Sequence, residues 1–65
     1  MNCNVRKVKE LQILQIEIER AKRELQEAEN RLNNADPDFV EAAVFELLAK
    51  QKKLNALLRR AKECA

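Results

Sequence analysis

One proline, in a chain of 65 residues that has no glycine, is the feature that most limits how this sequence can fold. It stands in the stretch NNADPDFVEAA, residues 33–43. Proline inside a helix removes a backbone hydrogen bond and clashes with the preceding turn, but it fits the first position of a helix. Asp36 before it is a suitable N-cap, and Asn33 or Asn34 can take the left-handed conformation that ends a helix. The stretch therefore predicts that one helix ends and a second begins here.

Apolar residues on both sides of this turn recur at alternating steps of three and four, the spacing of one helical face. They are Leu11, Leu14, Ile18, Ala21, Leu25, Ala28 and Leu32 before the turn, and Val40, Val44, Leu47, Leu54, Leu58, Ala61 and Ala65 after it, with Gln51 as a polar member. We predict helix one over about residues 5–33, a turn over 33–37 and helix two over about 37–63. The expected fold class is all-α, a single-domain antiparallel two-helix hairpin of the coiled-coil type, roughly 40 Å long at 1.5 Å per residue.

The two apolar stripes also predict how the helices align. If the chain folds back at the turn, residues whose numbers sum to 72 lie level, so that Leu14 faces Leu58. In this alignment Gln51 faces Ala21. The Gln51 amide either reaches water over that small neighbour or specifies the register or oligomeric state, as buried polar residues do in some coiled coils.

A two-helix hairpin covers only one stripe of each helix, and several apolar side chains fall outside the predicted stripes. Those that we expect to carry intermolecular contacts are Val5, Ile13, Ile16, Phe39, Phe45, Leu48 and Leu57. Exposed apolar clusters usually mark an interface, since fully burying each side chain is worth about 1.5–3 kcal/mol. The simplest arrangement is a homodimer that forms a four-helix bundle, and the alternative is a docking face for another protein.

Charge is unevenly distributed along the predicted hairpin. Residues 1–20 and 50–65, which share one end, hold ten Lys and Arg against four Glu, whereas residues 21–49 hold three against seven acids. Candidate contacts for phosphate or for an acidic partner are Arg6, Lys7, Lys9, Lys52, Lys53, Arg59, Arg60 and Lys62. A solvated coiled-coil face is the simpler interpretation of these cations. Because no aromatic residues are interleaved with them, any nucleic-acid binding is expected to be weak, sequence-independent and sensitive to salt.

Residue types that most enzymes need are absent from the chain. It has no His, Ser, Thr, Tyr, Trp or Gly, which excludes hydroxyl nucleophiles, imidazole bases and glycine phosphate loops. Cys3 and Cys64 alone fall short of the four ligands of a structural zinc site. Cys64 lies near the C-terminal end of a predicted helix, where the dipole disfavours a thiolate. We predict a protein that is not an enzyme and that uses no cofactor, metal or small-molecule ligand; a metal site would require ligands from more than one chain of an oligomer.

The sequence shows neither a membrane span nor an export signal. No apolar run approaches the roughly 20 residues that cross a bilayer, and the segment MNCNVRKVKE lacks the hydrophobic core of a signal peptide. We therefore expect a cytoplasmic protein without membrane contact. In that compartment the two cysteines favour free thiols over a disulfide.

Residues 36–63 begin with Asp-Pro-Asp, continue with Ala-Val-Phe-Glu-Leu at 43–47, and include Leu-Leu-Arg at 57–59 and Ala-Lys-Glu at 61–63. In this order of residues the second half of the chain resembles the YaaL-like family of small bacterial proteins, found mostly in Firmicutes. Leu54 and Ala56 stand where that family has aromatic residues, which excludes ring stacking at these two positions. The family has no assigned activity, and its members are often encoded near a recombination-repair mediator gene. The resemblance therefore implies only a slight link to DNA-related work.

Overall fold

Two long α-helices form the structure and pack against each other. The computed structural model describes the backbone of residues 3–64 and the side chains of residues 9–63. Helix α1 spans Cys3–Asn33, a 3-10 turn spans Pro37–Phe39, and helix α2 spans Val40–Cys64. The molecule is elongated, with extents of 55 × 14 × 11 Å. The predicted all-α fold with two packed helices is confirmed.

Helix α1 ends at Asn33, where the sequence places its end, but not in the predicted way. No residue of the described backbone has a positive φ. Asn34 instead donates twice to the carbonyl oxygen of Asn30, from its backbone N at 3.1 Å and from its side-chain Nδ2 at 2.8 Å. Ala35 N also donates to Leu32 O at 3.2 Å, which tightens the last turn. The prediction of a left-handed Asn33 or Asn34 is wrong, because the Asn34 side chain helps to satisfy the carbonyl groups at this helix end.

Helix α2 begins later than the sequence predicts. Asp36 stands at the N-cap position with extended backbone (φ −65°, ψ 152°), and Pro37 follows in the first position. The Asp36 carbonyl accepts from Phe39 N at 2.8 Å, an i to i+3 bond that makes residues 37–39 a 3-10 turn, while the Asp36 side chain makes no capping bond. The α-helix begins at Val40 rather than at Pro37. The connection is therefore three residues longer than predicted.

The core lies between the helices and matches the predicted stripe on α1 but not the one on α2. Its buried and half-buried apolar residues are Leu11, Leu14, Ile18, Ala21, Leu25, Ala28 and Leu32 on α1, and Ala43, Leu47, Leu54, Leu57 and Ala61 on α2. Leu57 is 9% exposed, whereas Leu58, predicted to lie in the core, is 44% exposed. Val40, Val44 and Gln51 are also exposed. The predicted alignment of α2 is therefore wrong, and the positions that face α1 lie three residues further along the chain.

Ion pairs between the helices indicate the same alignment. Arg31 pairs with Glu46, and Glu24 pairs with Lys50 and Lys53, so the paired numbers sum to 77, 74 and 77 rather than to 72. Together with the buried residues, these pairs fit an alignment in which facing residues sum to about 75. The longer connection accounts for the shift, because three residues that were expected to start α2 belong to the 3-10 turn.

Side-chain size favours the observed alignment. A sum of about 75 places Ala21 level with Leu54 in the core cluster. It likewise places Leu14 level with Ala61, so that a small residue meets a large one. The predicted alignment would have set leucine against leucine in two layers and would have turned the Gln51 amide toward the core. Overpacking costs about 1–3 kcal/mol, and a buried amide needs hydrogen-bond partners, so the observed alignment packs with less strain.

Candidate interaction surface

One flank of α2 is tied to α1 by charged groups. Arg31 Nε donates to Glu46 Oε1 at 2.7 Å. Glu24 Oε1 accepts from Lys53 Nζ at 3.3 Å and lies 3.7 Å from Lys50 Nζ. Lys50 occupies a position that faces α1, and its half-buried stem carries the amino group outward to Glu24. We call these five residues, Glu24, Arg31, Glu46, Lys50 and Lys53, the ion-paired flank.

The ion-paired flank perturbs two of its own groups. The hydrogen bond from Lys53 lowers the pKa of the Glu24 carboxyl; partial desolvation opposes this effect, and the charge of Lys50 reinforces it. The hydrogen bond to Glu46 raises the pKa of Arg31. All of these side chains stay partly exposed, so each pair adds little to the free energy of folding. Their main effect is to favour one alignment of the helices over another.

The other flank of α2 faces solvent although much of it is apolar. Val44, Leu48, Gln51, Asn55 and Leu58 follow one another at steps of four, three, four and three, so they form one stripe along the helix. All five are exposed. Gln51 Nε2 donates to Asn55 Oδ1 at 3.2 Å in the middle of the stripe. We call these residues the open flank, and they give α2 a second helical face beside its core face.

Helix α1 does not extend this apolar stripe. The neighbouring part of α1 forms a shallow groove lined by Gln15, Ile18, Glu19 and Lys22, of which only Ile18 is apolar. Lys22 Nζ lies 3.5 Å from Glu19 Oε2, so the charged pair of this groove is satisfied within α1. The exposed apolar surface on this side of the hairpin therefore belongs to α2.

The residues predicted to form the interface do not share one face. Ile16 lies midway between the core residues Leu14 and Ile18, so it points away from α2. Phe45 lies midway between Ala43 and Leu47 in the same way and points away from α1. Ile13 and Phe39 are also exposed, Ile13 beside Arg60 and Phe39 in the 3-10 turn. These four residues are exposed, as the sequence predicts, but they do not form one patch.

Two predicted interface residues have contrasting positions. Leu48 belongs to the open flank, in keeping with its predicted exposure. Leu57 packs in the core cluster with Ile18 and Leu54, so its assignment to the interface is wrong. The longer connection turns Leu57 inward and leaves Leu58 outside. Val5 lies outside the described side chains.

The predicted basic contacts remain on the surface. Lys9, Lys52, Lys53, Arg59, Arg60 and Lys62 are exposed. Lys53 binds Glu24, but over residues 9–63 no ion pair involves Lys52, Arg59, Arg60 or Lys62. Arg6 and Lys7 lie outside the described side chains. The second half of α2 therefore presents a group of solvated cations.

A groove beside the turn is open to solvent. It has a volume of about 390 Å³ and is lined by Arg31, Asn34, Ala35, Asp36, Phe39, Ala42, Ala43 and Glu46. Its Arg31 and Glu46 side chains already bind each other. In the part of the chain that the structure describes, no three His, Cys, Asp or Glu residues lie together as metal ligands. None of the described helices is long and apolar enough to cross a membrane.

Comparison with known proteins identifies no relative of this chain. No family model, curated protein or solved structure matches the chain. The resemblance of residues 36–63 to the YaaL-like family stays a prediction from the sequence.

Proposed function

We propose that this chain is a non-catalytic protein–protein interaction module that self-associates through the exposed apolar surface of its helical hairpin. The observation that carries the proposal is the balance between buried and exposed side chains. Among the described residues, four large apolar side chains are buried, namely Leu14, Ile18, Leu54 and Leu57, and Leu11, Leu25, Leu32 and Leu47 are half-buried. Eight others are exposed, namely Ile13, Ile16, Phe39, Val40, Val44, Phe45, Leu48 and Leu58. A hairpin that exposes as many large apolar side chains as it buries or half-buries gains stability from a partner.

The total surface supports the same proposal. A compact protein of 7.6 kDa exposes about 4,300 Å² by the usual scaling of surface with mass. This elongated chain exposes 5337 Å². The excess, roughly 1,000 Å², is comparable to the roughly 800 Å² that each partner loses in an interface of standard size. Association of two hairpins would bury surface that the isolated hairpin exposes to solvent.

Sedimentation equilibrium over a concentration series tests self-association, with helicity followed by circular dichroism in parallel. We expect the molar mass to rise from the 7.6 kDa of one chain toward twice that value. We also expect helicity to fall on dilution, because a chain of this length has a marginal core by itself. A fully helical chain that stays at 7.6 kDa up to about 1 mM, a concentration at which even weak complexes form, would contradict self-association.

A different protein is the alternative partner for the faces that a dimer leaves free. Ile16 and Phe45 point away from the neighbouring helix, Ile13 is exposed beside Arg60, and all three lie outside the open flank. Docking of another protein on these residues is compatible with self-association elsewhere. The cytoplasmic location and the free thiols expected from the sequence belong to the same proposal, as does the YaaL-like resemblance, which itself supplies no activity.

The cations of α2 support a second candidate, a weak and sequence-independent nucleic-acid accessory. Lys52, Arg59, Arg60 and Lys62 are exposed and have no ion pair among the described side chains. Binding that depends on phosphate contacts weakens steeply as the salt concentration rises, because the release of counterions from the nucleic acid then gains less free energy. Affinity for duplex DNA that collapses between about 50 and 200 mM salt would favour this function. Absence of binding at the lower salt concentration would exclude it.

A further inference from the structure

The open flank has a charged residue of opposite sign at each end. Glu41 lies three residues before Val44, and Lys62 lies four residues after Leu58, so both continue the stripe at helical spacing. Both side chains are exposed. Read along α2, the stripe is acidic at its first position, apolar near both ends, polar at Gln51 in the middle, and basic at its last position. Such an order is complementary to itself when it is read in the opposite direction.

We propose that the open flank binds the open flank of a second copy of this chain, with the two α2 helices antiparallel and a two-fold axis near Gln51. This inference rests on the proposed self-association and specifies its surface and orientation. Two-fold interfaces use the same patch on both subunits, and each contact occurs twice. Helix α2 carries a suitable patch, because its exposed apolar residues lie on both sides of the central Gln51.

The residue numbers show how the layers would match. With Gln51 beside its own copy, facing residues have numbers that sum to about 102, so Val44 meets Leu58 of the second copy and Leu58 meets Val44. Leu48 then lies level with Asn55 of the second copy, next to the axis. Both apolar layers bury residues that the isolated hairpin exposes. Burying a Val or Leu side chain fully is worth about 1.5–3 kcal/mol, so these layers supply the main attraction.

Charge selects the antiparallel orientation over the parallel one. Antiparallel helices bring Glu41 level with Lys62 of the second copy, whereas parallel helices would set Glu41 beside Glu41 and Lys62 beside Lys62. The whole hairpins follow the same rule, because residues 21–49 have seven acids against three Lys and Arg, and the opposite end is basic. Complementary charges guide orientation, and like charges set side by side oppose it.

The centre of the stripe is suited to a two-fold axis. Gln51 and Asn55 already bond to each other at 3.2 Å, and each amide carries both donors and acceptors. Two such pairs related by the axis can exchange further hydrogen bonds without leaving a charge unpaired. An amide layer among apolar layers also favours one alignment, since a slip of one heptad would set Gln51 against Val44 or Leu58. Gln51 would thus act as the register specifier, between chains rather than within one.

Cysteine cross-linking in the full-length chain tests this geometry directly. Cys3 and Cys64 are first replaced by alanine, and Gln51→Cys is introduced, with Ala49→Cys as the control on the opposite side of α2. Both positions are exposed, so reactivity with a monomeric thiol reagent provides a common reference. We expect Q51C to form a disulfide-linked dimer about ten times faster than A49C or more, because neighbouring thiols in a dimer reach effective concentrations of order millimolar.

Two off-axis variants determine the orientation. An antiparallel pair predicts that Val44→Cys mixed with Leu58→Cys gives mainly the mixed dimer, and that each variant alone cross-links slowly. Fast cross-linking of V44C alone and of L58C alone would show a parallel pair and would overturn the inference. Equal rates for Q51C and A49C in a chain that sediments as a dimer would also overturn it and leave the proposed self-association standing. A chain that sediments as a monomer contradicts both proposals.

Discussion

On the ion-paired flank of α2, Glu46 and Lys53 bind charged groups of α1, whereas the open flank presents Val44, Leu48 and Leu58 to solvent. Both flanks border the same core, and both run along the same helix. The difference shows that α1 supplies charged partners on only one side of α2. These charged contacts favour the observed alignment of the helices, which leaves apolar residues exposed on the other side.

The largest expected effect comes from substituting two adjacent leucines of α2, one in the core and one on the open flank. Leu57→Ala should lower the free energy of unfolding by about 2–4 kcal/mol, because Leu57 is a core residue whose truncation leaves a cavity. Leu58→Ala should change it by about 0.5 kcal/mol or less in the monomer, since Leu58 is exposed there. Urea denaturation at low protein concentration compares the two variants without the contribution of association. The opposite order would show that Leu58 is the core residue and that the predicted alignment is the correct one.

The open flank should also control self-association. Leu48→Glu should weaken the dimer about tenfold or more, because it places a charge where an apolar side chain would be buried. Ala49→Glu is the matched control, since Ala49 is exposed and points away from both the core and the open flank. Sedimentation equilibrium measures both dissociation constants, and circular dichroism checks that both variants stay helical. Equal weakening by the two substitutions would show that net charge, rather than this flank, governs association.

The smallest effect on stability is expected from a substitution on the ion-paired flank, and its size depends on pH. Because the pKa of Glu24 is lowered in the folded chain, mainly by Lys53, its contribution to stability is present above the unfolded pKa of about 4.3. That contribution is lost as the pH falls through the lower folded-state pKa. Glu24→Gln should therefore reduce the loss of thermal stability on acidification below about pH 4.3.

Glu19→Gln provides the control for this measurement, because the Glu19–Lys22 pair lies within α1 and does not join the helices. Thermal denaturation of both variants over a pH series compares them. An acid response of E24Q that equals that of the unsubstituted chain would mean that the interhelical pair does not contribute to stability in solution.

The fold and the whole core face of α1 follow from the sequence, but the core face of α2 does not. Helix α1 has one set of apolar residues at core spacing, from Leu11 to Leu32, and the structure buries or half-buries them. Helix α2 has two overlapping sets, which share Leu47, Leu54 and Ala61. Apolar periodicity alone does not distinguish them. The 3-10 turn distinguishes the two sets, because it determines where α2 begins. Its i to i+3 hydrogen bond depends on local geometry that the Asp-Pro-Asp sequence does not specify.

The candidate surface was predictable only in part for the same reason. Exposure of Phe45 and Leu48 follows from their distance from either set of core positions. The apolar spacing predicts Val44 and Leu58 in the core, so it does not predict the exposed stripe that they form. A signal was nevertheless present, since Val44, Leu48, Gln51, Asn55 and Leu58 keep regular steps of four and three. It was hidden because Val44 and Leu58 also fit the competing core set.

The short connection between the helices has a consequence for how such a chain can change over time. Because α2 carries two overlapping core sets, adding residues 37–39 to α2 as α-helix would leave a largely apolar core while placing Leu58 inside and Leu57 outside. Substitutions that convert the 3-10 turn into α-helix can therefore replace the outward surface of α2 without a single substitution within Val40–Cys64. Among homologous hairpins, the sequence of the connection should then vary together with binding partner, even where the helices themselves are nearly identical.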